Sequence, residues 1–260
     1  MPRIGNDWGS CDPANPRNRR RRCAMLIEAA RQIEDFESGE QVTRVLIDCG
    51  PDMREQLLSA NVAHLDAALL THSHADHIFG LDDLRQLWVR HGQPVDVYFD
   101  QATRKIVWQA FAYCFEQAPG SSYPPFCIGH DLQANQPFKV DGRGGVLELT
   151  PILVEHGDID AFGIRVGNAV YMPDVKTVKR PDSLALLSDT GLLIVDALRR
   201  KSHPTHMNVD EALEFVQQIA PDQAILTNMH GDLDYDTLSA ELPDGIAPAY
   251  DGLSVIFDAV

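Results

Sequence analysis

Short runs of β-branched and aliphatic residues recur along the chain, and each run predicts a β-strand. Polar segments rich in glycine, proline, asparagine and aspartate separate these runs. The predicted strands cover residues 24–28, 44–49, 67–71, 95–99, 146–154, 162–166, 169–172, 192–195, 223–228 and 253–257. Ten strands of this length are enough to build more than one sheet.

Apolar residues at three- and four-residue spacing predict helices between these strands. The predicted helices cover residues 52–60, 81–91, 101–116, 209–219 and 235–241, with Asp52 and Asn208 as N-caps. Strand hairpins early in the chain and strand–helix alternation later indicate an α/β fold in which helices cover sheets. With no internal repeat or linker, we expect one domain over residues 1–260.

The composition is that of an ordinary globular protein, with 44% hydrophobic and 23% charged residues among 260. No apolar run approaches the roughly 18 residues of a membrane span. The first 22 residues are polar and arginine-rich, so they do not resemble a secretory signal peptide, and we expect the cytoplasm. The five cysteines are widely spaced with no C-x-x-C pair, and we expect them to be reduced and mostly buried.

A formal net charge of -16 bears on the partners that this chain can bind. Long nucleic acids and anionic membranes are disfavoured, because binding them depends on summed attraction between positive side chains and phosphates. A small anionic substrate is compatible with this charge, since metal ions can neutralise it locally.

The strongest chemical signal is the segment T-H-S-H-A-D-H, residues 71–77, which follows a predicted strand. Residues two apart in an extended segment face the same way, so His72 and His74 can converge on one ion. The turn that follows can direct Asp76 and His77 to a neighbouring point. Imidazole nitrogens and carboxylate oxygens are donors that first-row divalent metals bind. The alternative is a solvated histidine-rich loop.

Three further candidate ligands each come just after an apolar run: His156, Asp174 and His230. Strand ends in a layered fold lie along one edge, so four such ends can build one site. Any one of these residues alone is as compatible with a structural role. Together with the first cluster they supply seven donors, which suit a two-metal site with a shared carboxylate.

The motifs T-H-S-H-A-D-H, V-E-H-G, Y-M-P-D and T-N-M-H-G occur here in the order of the metallo-β-lactamase superfamily's ligand motifs, and the chain resembles that superfamily over nearly its whole length. The resemblance implies an αββα four-layer sandwich with two facing mixed sheets between helices. It also implies that His72, His74 and His156 bind one metal, that Asp76, His77 and His230 bind the second, and that Asp174 bridges them.

Other segments are similar to the small phosphodiesterases typified by phosphoribosyl 1,2-cyclic phosphate phosphodiesterase. They are P-R-I-G-N-D-W-G-S-C-D-P-A-N-P-R-N-R-R-R-R, L-I-D-C-G-P-D-M-R-E-Q-L-L, G-L-D-D-L-R and H-P-T-H. The resemblance implies a dinuclear metal-dependent hydrolase. Mixed imidazole and carboxylate sites suit zinc, manganese or iron, and with no cysteine ligand evident we expect manganese or zinc. A hydroxide shared by the metals and oriented by Asp76 would attack a small cyclic or nucleotide-like phosphodiester. It leaves a homodimer open.

Two departures from these relatives stand out. Family members usually begin with an apolar strand that leads into the segment containing R-I-G, and this chain starts at Met1-Pro2-Arg3. We therefore hypothesise that the family's first strand is missing, which the intact mass of the native protein would test. Relatives in phosphonate breakdown also carry more cysteines near Cys11 for a structural zinc, so we expect no third metal site.

Four residues outside the ligand set are further candidates. His206 aligns with the family's phosphate-contacting histidine, which can protonate the leaving oxygen, although it also precedes a helix. Asp196 could orient His206, and Asp48 could accept a hydrogen bond from a ligand histidine. Asp196 could equally be a simple strand-end aspartate, and Asp48 a turn-forming residue before Gly50. Arg19 could contact the phosphate, but its arginine-rich run could instead be solvated or paired with acidic residues.

Competing functions share parts of this pattern. A tRNA 3′-end-processing ribonuclease has the same ligands but needs a basic arm to hold RNA, and this chain has none. A thiolester or lactam hydrolase could use the same metals. A di-iron redox protein would replace one histidine with a carboxylate and carry a flavin module. A non-catalytic metal-binding protein of this fold fits poorly with a complete ligand set.

Overall fold

The computed structural model describes residues 1–257, which group into two compact units. The central unit comprises Arg22–Leu149. The terminal unit comprises Met1–Arg21 together with the chain from Thr150 onward. One domain over residues 1–260 therefore stays a prediction, and each unit has its own hydrophobic core.

The central unit contains a five-stranded mixed sheet. Its strands pair in chain order, with β1 antiparallel to β2 and the other neighbours parallel. They are β1 (Met25–Ala30), β2 (Val42–Ile47), β3 (Ala67–Leu69), β4 (Val95–Phe99) and β5 (Cys127–Asp131). Every residue of β2 is buried, as expected for a strand covered on both faces. A hairpin follows, formed by β6 (Phe138–Gly142) and the start of β7 (Gly145–His156).

Five α-helices belong to the central unit: α1 (Ile33–Ser38), α2 (Met53–Ser59), α3 (Ala75–Ile78), α4 (Arg85–His91) and α5 (Gln101–Phe115). A 3₁₀ turn over Leu81–Leu84 precedes α4. Asp100 caps α5 by accepting a hydrogen bond from the Thr103 N–H. Side chains from α2, α3, α4 and α5 pack against the strands around Val97, Phe99 and Phe126, which belong to the buried core of this unit.

The terminal unit contains strands that pair in the order β12-β11-β10-β9-β8-β7. They are the end of β7, β8 (Ile159–Val166), β9 (Ala169–Met172), β10 (Leu192–Asp196), β11 (Gln223–Thr227) and β12 (Ile246–Pro248). Neighbours from β9 to β12 are parallel, and β7 to β9 are antiparallel. Strands β7, β9, β10 and β11 therefore run in one direction, and their carboxyl ends lie at one edge.

Helices α6 (Pro181–Ala185), α7 (Val209–Ile219) and α8 (Tyr235–Glu241) complete this unit, together with a 3₁₀ turn over Pro16–Asn18. The predicted Asn208 N-cap is confirmed. The Asn208 side chain accepts a hydrogen bond from the Glu211 N–H, and the Glu211 carboxylate accepts one from the Asn208 N–H. The buried face of α7 packs Ala212 and Phe215 into the apolar core beside β10 and β11.

Several sequence predictions were wrong or incomplete. Residues 253–257 form no strand, and the last strand of the described chain is β12. Asp52 does not cap α2 with its side chain, because its carboxylate binds Arg22 instead, at 2.9 Å from the backbone nitrogen. The sequence also failed to predict β5, β6, β12 and the short helices α1, α3 and α6.

The two mixed sheets flanked by helices confirm the predicted α/β fold class. Within residues 1–257, no helix has the length and apolar character to cross a membrane. The expectation that the cysteines are mostly buried is confirmed, since four of the five are buried.

Asp234 links the beginning of α8 to the amino-terminal segment through hydrogen bonds. Its carboxylate accepts hydrogen bonds from the Thr237 N–H at 3.0 Å, the Asn18 side chain at 2.7 Å and the Asp12 N–H at 3.2 Å. These bonds, led by the one from Thr237, lower the pKa of Asp234 from 3.8 to about 2. Since the folded-state pKa lies below the unfolded value, the ionised carboxylate stabilises the fold above pH 3.8, and this contribution is lost as the pH falls towards 2.

We therefore expect Asp234→Ala to lower the free energy of unfolding by about 1–2 kcal/mol at near-neutral pH, through loss of the cap. Urea unfolding followed at decreasing pH should show the difference from wild type shrinking below the unfolded pKa. Asp210→Ala, at an exposed position in the first turn of α7, is the control. An equal difference at every pH would contradict the proposed role of ionisation.

Candidate metal centre

In the central unit, the ends of two parallel strands bring the first set of candidate ligands together. Asp48 follows β2, and the segment from Thr71 to His77 follows β3. The backbones of Gly80 and Gly50 approach each other closely in this region. A Cβ on Gly80 would lie 2.2 Å from the Gly50 carbonyl oxygen. Glycine is therefore required at Gly80, where the turn after α3 packs against the turn after β2.

Asp48 is buried beneath this loop. Its carboxylate accepts hydrogen bonds from the Thr71 N–H at 2.8 Å, the Thr71 hydroxyl at 3.0 Å and Nδ1 of His77 at 2.7 Å. Burial raises the pKa of Asp48, while His77 and Thr71 oppose the rise. With Nδ1 of His77 bonded to Asp48, Nε2 is the nitrogen that could bind a metal.

The other histidines of this loop also present nitrogen donors. The Thr71 hydroxyl donates its one hydrogen to Asp48 and therefore accepts from Nδ1 of His72, 3.0 Å away. Nε2 of His72 lies 2.9 Å from Nδ1 of His74. The Asp76 carboxylate is half exposed, and its Oδ2 lies 3.8 Å from Nε2 of His77. The loop thus gathers three imidazoles and one carboxylate.

In the terminal unit, the carboxyl ends of β7 and β9 bring His156 and Asp174 together. Both side chains are buried, and Nε2 of His156 lies 3.5 Å from Oδ2 of Asp174. Nδ1 of His156 donates to the Thr205 carbonyl at 2.8 Å, which leaves Nε2 as a donor for a metal.

His206 is oriented by Asp196, the last residue of β10. Nδ1 of His206 donates to Oδ2 of Asp196 at 2.7 Å, so Nε2 points away from that bond and lies 4.0 Å from Oδ2 of Asp174. The rings of His156 and His206 meet edge to face at a centroid distance of 4.6 Å. His203 lies beside them, and burial lowers its pKa, helped by the neighbouring His206.

His230 lies in the turn between β11 and α8. Its backbone N–H donates to the Leu198 carbonyl at 2.7 Å, and burial lowers the pKa of its imidazole. The buried Arg20 guanidinium braces the same turn by donating to the Leu233 carbonyl at 2.7 Å. Arg20 also contacts Cys11 at 3.1 Å, where burial raises the thiol pKa.

The arginines of residues 17–22 bind different partners. Besides Arg20, the structure pairs Arg21 with Asp251, Arg22 with Asp52, and Arg17 with the rings of Tyr235 and Tyr250. The Arg19 side chain is exposed and makes no ion pair with the described residues. Pairing with acidic residues therefore accounts for part of this run, and phosphate contact by Arg19 stays a prediction.

Sequence reasoning did not select Asn228, although it lies in the quoted motif T-N-M-H-G. Its amide nitrogen is 3.0 Å from Oδ1 of Asp174. Sequence reasoning also overlooked Lys176, which forms an ion pair with Glu211 at 2.7 Å and donates to the His206 carbonyl at 3.3 Å. The signal for Asn228 was its place as the last residue of the predicted strand 223–228.

The donors in each unit suit a divalent metal. His72 and His74 in the central unit offer imidazole nitrogens, and His156 and Asp174 in the terminal unit offer an imidazole nitrogen and carboxylate oxygens, all of them donors that divalent metals bind. Hydrogen bonds already fix the other nitrogen of His72, His77 and His156, as is usual for metal-binding imidazoles. Manganese and zinc both fit imidazole and carboxylate donors.

Comparison with known proteins agrees with this pattern. Residues 43–229 match the family model described as Beta-lactamase superfamily domain. The chain belongs to the metallo-β-lactamase superfamily. Within it, the chain belongs to the PhnP family, because a crystal structure described as a new diphosphatase from that family is 30% identical, with a TM-score of 0.84. That alignment covers 100% of this chain and 93% of the solved chain, and it confirms the predicted resemblance.

Two curated proteins that this chain resembles in sequence are longer than it is. An octanoyltransferase from Porphyromonas gingivalis (strain ATCC BAA-308 / W83) is 31% identical over 99% of this chain and 49% of its own length. A ribonuclease Z from Bradyrhizobium diazoefficiens is 30% identical over 66% of this chain and 51% of its own length. This chain therefore spans about half the length of the curated relatives it matches.

Proposed function

We propose that this protein is a metal-dependent hydrolase of small phosphodiesters, such as phosphoribosyl 1,2-cyclic phosphate or a nucleotide-like cyclic phosphate. One observation carries the proposal: the His206 imidazole, held by Asp196 through Nδ1, lies with Nε2 4.0 Å from the buried Asp174 carboxylate. The resemblance does not use His206 as a ligand, so this imidazole is available for proton transfer.

We assign the metal ligands as the superfamily resemblance implies. His72, His74 and His156 would hold one divalent ion, and Asp76, His77 and His230 would hold a second. Asp174 would bridge the two ions, which we propose to be manganese or zinc. Support comes from imidazole and carboxylate donors, the tautomers fixed by Asp48 and Thr205, and burial of His156 and Asp174.

When bound, two divalent ions supply a water of lowered pKa and positive charge beside the phosphate oxygens. The half-exposed Asp76 would orient the attacking water. His206 would act as a general acid, because a protonated Nε2 can give its hydrogen to the departing alkoxide. Asp196 stabilises that protonated imidazole through the bond at Nδ1. Asp48 would hold His77 in a fixed ring orientation.

The names of the relatives support phosphate chemistry, since one is a diphosphatase and another a ribonuclease Z. The formal charge of -16 favours a small substrate over RNA, because an acidic surface gives little summed attraction for a polyanion. Arg19, exposed beside four paired arginines, is the candidate to contact the substrate phosphate. A homodimer is compatible with the proposal but does not carry it.

The direct test is hydrolysis by metal-stripped protein reconstituted separately with manganese and zinc. Substrates should include bis-p-nitrophenyl phosphate, 2′,3′-cyclic nucleotides, a diphosphate, a thiolester, a lactam and a tRNA precursor. We expect metal-dependent turnover of the small phosphodiesters. Turnover confined to the thiolester or lactam would overturn the substrate class, and turnover confined to the tRNA precursor would identify a ribonuclease.

A further inference from the structure

Asn228 occupies a turn that few residue types can adopt. It follows β11 directly, it is half-buried, and its backbone has φ of 58°, in the left-handed region. Asparagine tolerates this region better than most residues other than glycine. The backbone conformation accounts for asparagine or glycine at this position, but it does not account for where the side-chain amide points.

The amide nitrogen of Asn228 points towards Asp174. It lies 3.0 Å from Oδ1 of Asp174 and 3.2 Å from the Pro173 carbonyl oxygen, so its two hydrogens have one acceptor each. It also lies 3.4 Å from Nδ1 of His206. That nitrogen already donates to Asp196 and cannot accept as well, so the third proximity is packing and not a hydrogen bond.

The two carboxylate oxygens of Asp174 therefore have different neighbours. Oδ1 accepts from Asn228, whereas Oδ2 lies 3.5 Å from Nε2 of His156 and 4.0 Å from Nε2 of His206. The carboxylate is buried, so water is a poor substitute for the amide as a hydrogen-bond partner of Oδ1. Rotation of the carboxylate would break the bond to Asn228 and turn Oδ2 away from the imidazoles.

We propose that Asn228 is a positioning residue that fixes which oxygen of Asp174 faces His156 and His206, and that it thereby sets the affinity of this centre for divalent metal. The proposal rests on the proposed function for the presence of metal. It predicts that loss of the amide weakens metal binding without loss of the fold.

The variant Asn228→Gly tests this, because glycine keeps the left-handed backbone and removes only the amide. Asn61→Gly is the matched control, since Asn61 is exposed in the central unit and has φ of 52°. Titration of metal-stripped protein with Mn²⁺ should show a dissociation constant about 10- to 100-fold weaker for Asn228→Gly, the range found for residues that orient metal ligands. Asn61→Gly should bind as wild type does.

Two further measurements separate positioning from a general loss of structure. With chelator present, both variants should unfold at similar temperatures. In wild-type protein, the side-chain amide resonances of Asn228 should shift when Zn²⁺ is added in stoichiometric amount. A wild-type dissociation constant in Asn228→Gly, or amide resonances that do not respond to Zn²⁺, would overturn the inference. Metal binding in a wild-type protein that hydrolyses no phosphodiester would instead overturn the proposed function alone.

Discussion

Replacement of His206 by alanine is expected to lower kcat on a 2′,3′-cyclic nucleotide by about 100- to 1000-fold, within the range of about 100- to 10,000-fold that a general acid or base typically contributes. The reason is that a nucleoside alkoxide is a poor leaving group and needs a proton, which Nε2 of His206 is placed to give. KM should change little, and the metal content measured by elemental analysis should stay at the wild-type value.

The leaving group sharpens this prediction. Nitrophenolate is a stable anion and departs without a proton, so His206→Ala should lower kcat on bis-p-nitrophenyl phosphate much less than on the cyclic nucleotide. His203→Ala is the matched control, because His203 is a neighbouring imidazole 5.0 Å from His206 between ring centroids. An equal loss of kcat on both substrates, or loss of metal from His206→Ala, would exclude the general-acid role.

The sequence predicted where the strands end better than it predicted which side chains contact each other there. Apolar runs located β9, β10 and β11; Asp174 and Asp196 come after the first two runs, and Asn228 is the last residue of the third. Since parallel strands end at the same edge, a pattern of strands followed by donors is enough to expect a site there. The pairing of Asp196 with His206 was one of two alternatives, and the 2.7 Å bond is present.

Other features depend on competition that a local pattern does not contain. Asp52 has the position and residue type of an N-cap, but the Arg22 guanidinium and backbone N–H bind its carboxylate from thirty residues earlier in the chain. Strands β5 and β6 were missed because histidine, lysine and aspartate interrupt their apolar residues. Tertiary pairing with β4 and β7 stabilises them regardless of these polar positions.

Asn228 shows which feature of the candidate site the sequence could not predict, namely the direction of a side chain. An asparagine one residue after a strand is typical of a turn, and its residue type alone does not distinguish an amide in solvent from one bonded to Asp174. The direction of the side chain follows from the left-handed backbone at that position together with the carbonyl of Pro173, which follows β9. Both depend on how β9 and β11 are placed in the sheet.

Removal of the Asp174 carboxylate should have the largest effect on this protein. Asp174→Asn keeps the size of the side chain but replaces one oxygen and removes the charge that would bridge two cations. We expect phosphodiester hydrolysis to fall more than about 1000-fold, because the charge stabilisation that metals supply would be lost. Elemental analysis should show fewer than two metals per chain.

Thermal unfolding tests the same assignment without any substrate. A metal that binds only the folded state stabilises it by about 2.7 kcal/mol when its free concentration is 100 times the dissociation constant. Wild-type protein should therefore unfold at a higher temperature with Mn²⁺ or Zn²⁺ than with chelator, and Asp174→Asn should lose most of that increase. Asp222→Asn, an exposed position in the same unit, makes the same change of charge and should retain it. Wild-type metal content and an undiminished increase in Asp174→Asn would show that Asp174 does not bridge the metals.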